Sequence, residues 1–269
     1  MTATSEFLED AAGFASRKAI VPELGSENRD NLKAKVVSPD LTLYQVKGAN
    51  RILYAKLTDA VALNRCDVEF SQARLTEEWF PTYWLPWNVD QTYRITLTPS
   101  KKAEVQVDAK HFFTAALTGC MVHVEGDTKS PTVYHSNAMN FQAPPAPPKT
   151  SAQAWTGMKK AMAMESRVSG FSATHPKKLA QTKMKSVDAF RYQFETASGQ
   201  GGDDLVKKEA ALVEATVDEV LVVQLGMVFG LKDEEGDWSF YYQSLTKTLR
   251  MTMARLERWT VNKCAKFWP

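Results

Sequence analysis

Short strand-like stretches follow one another between residues 93 and 137, and they constrain the fold more than any other feature of the sequence. Within the stretches, apolar residues alternate with polar ones in the manner of a β-strand. The breaks between them are too short to hold a crossover helix, so the strands are expected to pair antiparallel. The sequence therefore predicts a meander with strands at Tyr93–Leu97, Ala103–Val107, His111–Ala115, Cys120–Val124 and Thr132–Asn137.

Further strands and helices are predicted on both sides of this meander. Two strands are expected around a turn at 47–50, and a hairpin is expected around the sequence KDEEGD at 232–237. Apolar residues recur at helical intervals near the C-terminus, which predicts a helix that packs on the sheet. The strands are predicted at Leu41–Val46, Arg51–Leu57, Glu219–Leu231 and Trp238–Gln243, and the helices at 5–18, 151–166, 205–216 and 245–260.

The order of these elements predicts the fold class. Strands and helices are grouped rather than strictly alternating, which favours an α+β fold with an antiparallel β-sandwich core flanked by helices. The length of 269 residues and 44% hydrophobic content are enough for one large core. We therefore expect a single domain over 1–269, with a possible subdivision near the Pro-rich segment 143–149, which is typical of polyproline II.

Charge and hydropathy narrow the classes of function. The chain carries 33 basic and 31 acidic residues, a formal net charge of +2, and this balance indicates neither a nucleic-acid surface nor an acidic tail. No apolar run is long enough for a membrane-spanning helix. Glu6, Glu9 and Asp10 lie where a signal peptide needs a basic start and an apolar stretch. We expect no nucleic-acid partner, no membrane association and a cytoplasmic location in the producing cell.

An aromatic segment, WFPTYWLPWN at Trp79–Asn88, interrupts the predicted strands. Its two prolines and five aromatic residues disfavour both a helix and a central strand. The segment is therefore predicted to be a loop or a plug over the core. In the alternative interpretation it contacts a substrate, with Trp84 and Trp87 as the aromatic anchors, because interface hot spots are rich in Trp and Tyr.

The cysteines point to a thiol site rather than to a disulfide or zinc framework. Cys66, Cys120 and Cys264 are an odd number and show no CxxC spacing. Cys120 follows Gly119, and a glycine there lets the backbone approach a substrate closely. A four-residue loop at 126–129 pairs Glu125 with Ser130 and thereby places Cys120 opposite His135, within reach of a thiol to imidazole hydrogen bond.

A Cys-His pair needs a third group that orients the imidazole. Thr114, Asn137 or a backbone carbonyl are the candidates. His123 is the poorer base because it projects from the opposite face of its strand. Cys120 is equally well explained as a buried, inert thiol, since cysteine is among the most commonly buried residues.

The residues around Cys120 resemble a known family. The run Leu117 to Cys120, Leu-Thr-Gly-Cys, with a histidine fifteen positions later, is similar to the Leu-Ser-Gly-Cys signature of the bacterial glutamine deamidase toxins, which include the cytotoxic necrotizing factors and the Burkholderia lethal factor. The resemblance implies Cys120 as nucleophile, His135 as base and Thr114 as the threonine that accompanies the pair in the lethal-factor branch. Thr118 departs from the signature, which has serine there.

What the resemblance implies about function is a toxin or effector that deamidates one glutamine of a host protein, a small GTPase or a translation factor, in the cytosol of a target cell. The same pair also suits a transglutaminase or a protease, because all three reactions pass through an acyl-enzyme. The alternative of another class is a binding protein with an inert Cys120. His111 and His175 show no spacing with Cys or carboxylates that makes a metal site, and we expect neither metal nor cofactor.

Overall fold

The fold is strand-rich, with two sheets, two short α-helices, a 3-10 helix at Val61–Leu63 and one helical turn at 210–212 among the residues that can be described. The structure, a computed structural model, describes residues 1–22, 43–45, 52–71, 73–86, 92–98, 108–118, 120–136, 185–187, 210–216, 219–251 and 257–269. The two α-helices are α1 (Ala3–Glu9) and α2 (Ala11–Arg17). The strands are β1 (Ala19–Pro22), β2 (Leu43–Gln45), β3 (Ile52–Ala60), β4 (Arg65–Ser71), β5 (Phe80–Leu85), β6 (Thr92–Thr96), β7 (His111–Thr114), β8 (Met121–Glu125), β9 (Thr132–Ser136), β10 (Lys185–Val187), β11 (Val220–Lys232), β12 (Trp238–Arg250) and β13 (Glu257–Trp268).

The strands form one sheet of eight and one of five. The first sheet has the order β1-β4-β3-β5-β7-β11-β12-β13, and the second has the order β10-β8-β9-β6-β2. Most neighbours are antiparallel, but β1 with β4, β5 with β7 and β2 with β6 are parallel. The predicted strand-rich α+β class is confirmed, whereas the expectation of a purely antiparallel meander is wrong: β7 lies in the first sheet and β6, β8 and β9 lie in the second.

Two apolar clusters cover the two faces of the eight-stranded sheet. One cluster joins α1 and α2 to the sheet, and Phe7 at its centre packs against Phe14, Phe80, Phe113 and Phe229. The other cluster draws side chains from both sheets. Adjacent residues of β7 and β11 therefore face different clusters. Phe113 and Phe229 belong to the helix side, and Phe112 and Val228 belong to the side shared with the second sheet.

The aromatic segment is a central strand and not a loop. Residues 80–85 form β5 between β3 and β7, and Trp84 is 3% exposed with its ring centroid 4.4 Å from that of Phe70. Pro81 is tolerated although it has no N–H for the ladder. Aromatic residues suit this position because β5 is buried on both faces, which removes the alternation that a half-exposed strand shows.

The predicted C-terminal helix is also wrong, and the predicted hairpin is confirmed. β11 and β12 pair over thirteen residues each around the turn at 233–237, and β12 continues to Arg250 where the helix was expected. Leu245 and Leu249 are four residues apart, a spacing that places two residues on one face of a strand as well as on one face of a helix. β13 then replaces the end of the expected helix.

The other predicted elements have mixed outcomes. Two helices occupy the region of the helix predicted at 5–18, and strands lie at both predicted sites flanking 47–50, although in different sheets. Residues 210–212 are helical, within the predicted helix 205–216. The elements predicted at 103–107, 143–149 and 151–166 lie outside the described residues. No helix in the described ranges is long and apolar enough to cross a membrane.

A single glutamine ties the N-terminal segment to the distant end of the eight-stranded sheet. The Gln243 side chain on β12 is fully buried; its Oε1 accepts from the N–H of Ile20 at 3.0 Å. Its Nε2 donates to the carbonyls of Lys18, at 2.8 Å, and Ala15. Three backbone groups at the junction of α2 and β1 thus depend on this one side chain.

We expect Gln243→Leu to lower the free energy of unfolding by about 3 kcal/mol, because three buried backbone groups lose their partners while the side-chain volume is nearly kept. Gln224→Leu, at a half-buried glutamine of β11, is the matched control and is expected to change stability by about 1 kcal/mol or less. Urea unfolding followed by circular dichroism measures both. Equal losses in the two variants would contradict the role of Gln243.

Candidate functional site

The hairpin of β8 and β9 holds His135 but not in the predicted register. Glu125 pairs with Thr132, and Val122 lies directly opposite His135. The prediction that Cys120 faces His135 directly is therefore wrong by two residues. Cys120 lies one position before the start of β8.

A wider loop explains the shift. The loop spans six residues, 126–131, instead of the predicted four. Asp127 Oδ1 accepts from the backbone N–H groups of Lys129 and Ser130, each at 2.9 Å, and this Asx-type turn extends the connection. Gly126 has a φ of 100°, a left-handed conformation that favours glycine.

A shift of two residues keeps Cys120 and His135 on the same side of the second sheet, because side chains alternate with a period of two. Cys120 and Val122 both belong to the apolar cluster shared by the two sheets. Cys120 thus stands diagonal to His135, where cross-strand neighbours are about 7–8 Å apart rather than about 5 Å. His135 Nε2 has no hydrogen-bond partner in the described part of the chain.

Thr114 contacts His135 from the other sheet, and its place beside the imidazole agrees with its proposed role as orienting group. Its Oγ1 lies 2.6 Å from His135 Nδ1. The same hydroxyl lies 3.1 Å from the carbonyl oxygen of Leu85 on β5. Asn137, the alternative orienting group, lies outside the described residues.

The site is buried and uncharged. Thr114 and His135 are both 0% exposed, and Cys120 is 1% exposed. Burial lowers the pKa of His135 from 6.5 to about 3, since a charged imidazole is disfavoured in an apolar interior. The imidazole is therefore neutral near pH 7, and the same burial makes it a weaker base than a solvated histidine. None of the three cysteines forms a disulfide.

A β-bulge carries the chain from Thr114 toward Cys120. Phe113 pairs with Phe229, and Leu117 pairs with Gly226. Between these two pairs the chain advances four residues on the side of β7 and three residues on β11. The side of β7 therefore contains one extra residue, which defines a bulge. Leu117 and Gly226 exchange two backbone hydrogen bonds, of 2.7 and 2.9 Å, which hold the connection three residues before Cys120.

His123 lies on the opposite face of β8, as predicted. It pairs with Tyr134, whereas the adjacent Val122 pairs with His135. His123 is fully buried, and neither of its ring nitrogens has a hydrogen-bond partner among the described residues. His123 is therefore a control for His135 of equal burial in the same hairpin.

The other predicted site residues are less well placed or not described. Trp84 is buried in the core, so it offers no surface to a protein substrate, and its proposed role as an anchor is wrong for this structure. Trp87 and Gly119 lie outside the described residues. Tyr93 was not predicted, yet it lies directly opposite His135 on β6 and is 1% exposed. A backbone carbonyl was among the predicted orienting groups, but that of Leu85 was not singled out, because backbone groups leave no signal in the residue type.

Neither a metal site nor a similar known protein gives further information on the role of these residues. In the described ranges, no three His, Cys, Asp or Glu side chains lie close enough together to hold a metal ion. No protein-family model matches the chain, and no curated protein matches it at significant similarity. The resemblance to the deamidase toxins therefore rests on the short motif around Cys120, on His135 and on Thr114.

Three histidines make stability depend on pH, since His123 and His135 are fully buried and His111 is half-buried. Burial lowers the pKa values of His111 and His123 to about 4, and that of His135 to about 3. As pH falls below the usual value of 6.5, the unfolded chain binds protons that the folded chain does not, so stability decreases. We expect up to about 1.4 kcal/mol per pH unit for each histidine between about pH 6 and pH 5.

Urea unfolding at those two pH values measures this effect above the range in which carboxyl groups titrate. His111→Phe keeps the ring contacts with Phe7 and Phe80 and removes one titrating group, so the variant should show a smaller pH dependence. A free energy of unfolding that stays constant over this pH range would contradict the burial of neutral histidines.

Proposed function

We propose that this chain is a cysteine-dependent protein-glutamine deamidase, with Cys120 as nucleophile, His135 as general base and Thr114 as the group that orients His135. The observation that carries the proposal is the 2.6 Å contact of Thr114 Oγ1 with His135 Nδ1. It occupies one ring nitrogen and leaves Nε2, which has no hydrogen-bond partner among the described residues, as the nitrogen that would accept a proton from the thiol.

The proposed reaction has two balanced halves. Nε2 of His135 takes the thiol proton as the sulfur of Cys120 attacks the carboxamide carbon of glutamine; the C–N bond then breaks, and ammonia leaves with that proton. Water next attacks the thioester while His135 accepts one of its protons. The C–S bond breaks, the thiol regains the proton, and the side chain is released as glutamate.

We also propose that the two sheets pack face to face as a β-sandwich, as the resemblance implies. Support comes from the apolar cluster to which both sheets contribute. The hydrogen bond between Thr114 on β7 and His135 on β9 joins the two sheets directly. In this arrangement the base belongs to one sheet and its orienting group to the other.

The burial of Cys120 bears on how a substrate enters. Thr118, two residues before Cys120, is exposed, so the approach to the thiol is proposed to lie at this end of β8. A glutamine side chain would reach the sulfur only after local movement of the residues that cover Cys120, which is 1% exposed. The host protein, proposed from the resemblance to be a small GTPase or a translation factor, would supply the binding energy for this movement, and the chain would act as a toxin or effector in the target-cell cytosol.

A second candidate function is favoured by the same burial. Cys120 is 1% exposed and stands diagonal to His135, as an inert core thiol would. The chain is then a binding or structural protein in which the Thr114 to His135 contact serves only to satisfy buried polar atoms.

The deamidase proposal predicts a mass gain of about one dalton on a single glutamine of a host protein. Purified small GTPases and translation factors are incubated with the chain and analysed by peptide mass spectrometry. Cys120→Ser and His135→Ala should each reduce the rate by about a thousandfold or more.

Cys66→Ser and His123→Ala are the matched controls, since both residues are fully buried and neither has a role in the reaction. They should retain activity wherever circular dichroism shows them folded. Efficient turnover of free glutamine, or peptide cleavage without the mass gain, would overturn the proposal in favour of an amidase or a protease.

Thiol reactivity separates the two candidate functions. Burial raises the pKa of Cys66 to about 12 and that of Cys264 to about 11, so neither should react quickly with iodoacetamide near neutral pH. If His135 activates Cys120, this cysteine should be alkylated faster than the half-buried Cys264, and His135→Ala should abolish the difference. Alkylation of Cys120 no faster than that of Cys66 favours the inert thiol.

A further inference from the structure

Three adjacent elements of the site form one hydrogen-bonded line. The carbonyl oxygen of Leu85, at the end of β5, lies 3.1 Å from Thr114 Oγ1, and Thr114 Oγ1 lies 2.6 Å from His135 Nδ1. The line runs from β5 to its parallel neighbour β7 and across to β9 in the other sheet. It thus joins a backbone carbonyl to the imidazole through one hydroxyl.

The position of each proton follows from the number of donors. A threonine hydroxyl has one proton, and a carbonyl oxygen only accepts. The 3.1 Å contact between Thr114 Oγ1 and Leu85 O fits a hydrogen bond in which the hydroxyl donates, since the carbonyl oxygen can only accept. Thr114 Oγ1 can then meet His135 Nδ1 only as an acceptor, which requires a proton on Nδ1.

We propose that the Leu85 carbonyl, acting through Thr114, is the positioning group that holds His135 in the Nδ1–H tautomer. In this tautomer the lone pair lies on Nε2. The consequence for catalysis rests on the proposed function, in which Nε2 accepts the thiol proton. With the opposite tautomer, Nε2 carries a proton and cannot act as the base. Neither Leu85 nor Thr114 removes a proton itself.

The carbonyl is well suited to this role because it is fixed on both sides. Leu85 is 0% exposed and pairs with Thr114 in the parallel ladder. Its oxygen also accepts from the N–H of Ala115 at 3.2 Å. A carbonyl held by the ladder cannot turn away, so the hydroxyl of Thr114 has one stable orientation.

The line is electrically neutral. The lowered pKa of His135 has burial as its cause, and no carboxylate of the described residues contributes, in contrast to a triad with an aspartate. The Leu85 to Thr114 line therefore selects the tautomer and the ring orientation, and it does not stabilise an imidazolium. A carbonyl and a hydroxyl suffice to select the tautomer and the ring orientation in an apolar interior, where an unpaired carboxylate is costly.

Nitrogen NMR of the wild-type chain labelled with ¹⁵N-histidine tests the proposal without any substrate. The ¹⁵N shifts distinguish a protonated from an unprotonated ring nitrogen, and we expect His135 to be protonated at Nδ1 near neutral pH. His123→Ala and His135→Ala assign the signals. A spectrum with the proton of His135 on Nε2 overturns the proposal.

Two variants of Thr114 test the middle of the line. Thr114→Ser keeps the hydroxyl and should keep the Nδ1–H tautomer, whereas Thr114→Val keeps the shape and should shift the population toward Nε2–H. If Thr114→Val fails to fold, Thr114→Ala takes its place. An unchanged tautomer in the folded variant without a hydroxyl overturns the proposal.

An ester at Leu85–Pro86 tests the carbonyl itself. Replacing Pro86 with an α-hydroxy acid turns the Leu85 amide carbonyl into an ester carbonyl, a weaker acceptor, and removes no N–H because proline has none. We expect a shift of His135 toward Nε2–H, whereas the same exchange at Pro81, earlier in β5, should leave the tautomer unchanged. Equal effects of the two esters contradict a specific role of Leu85.

The experiments distinguish a wrong tautomer of His135 from a wrong assignment of deamidase activity. An Nδ1–H tautomer that depends on Thr114 in a chain without deamidase activity retains the positioning line and rejects the enzyme. Deamidase activity with the opposite tautomer rejects the line and retains Cys120 as the nucleophile. In an active chain, Thr114→Val should lower kcat by about tenfold or more with little change in KM, and Thr114→Ser should restore it.

Discussion

Burial of β7 on both faces is the constraint on which the rest of the structure depends. Phe113 faces the helix-side cluster, and Phe112 faces the cluster shared with the second sheet. A strand buried in this way must lie inside a sheet that is covered on both sides. The helices α1 and α2 cover one side and the five-stranded sheet contributes to the other, so the same strand determines where both clusters lie.

Two buried polar side chains, Gln243 and Thr114, bond to backbone groups of distant elements. Gln243 serves three backbone groups between α2 and β1, and Thr114 uses one hydroxyl between the carbonyl of Leu85 and the imidazole of His135. An unpaired buried group costs about 1–3 kcal/mol, so such side chains have few alternative conformations. That restriction makes them suitable both for fixing topology and for orienting a base.

The sequence predicted the positions of the secondary-structure elements more reliably than it predicted which strands pair with each other. The hairpin of β11 and β12 was predicted because two apolar runs flank a turn rich in Asp, Glu and Gly, and this signal is local. The aromatic strand β5 was missed because burial on both faces removes its alternation. The C-terminal helix was predicted wrongly because Leu245 and Leu249 share one face under either period.

For the candidate site, residue types and approximate spacing were determined by the sequence itself: a cysteine after a glycine, a histidine on the next strand, His123 on the opposite face and a threonine before the cysteine. The register and the contacts of Thr114 with His135 and with the Leu85 carbonyl were decided only by the tertiary structure. The hydrogen bonds of Asp127 widened the hairpin loop, and the separation of β7 from β9 into two sheets brought together residues 21 positions apart in the chain. Pairing between sheets depends on packing that involves the whole chain, because the local pattern of a strand contains no information about which strand lies across from it.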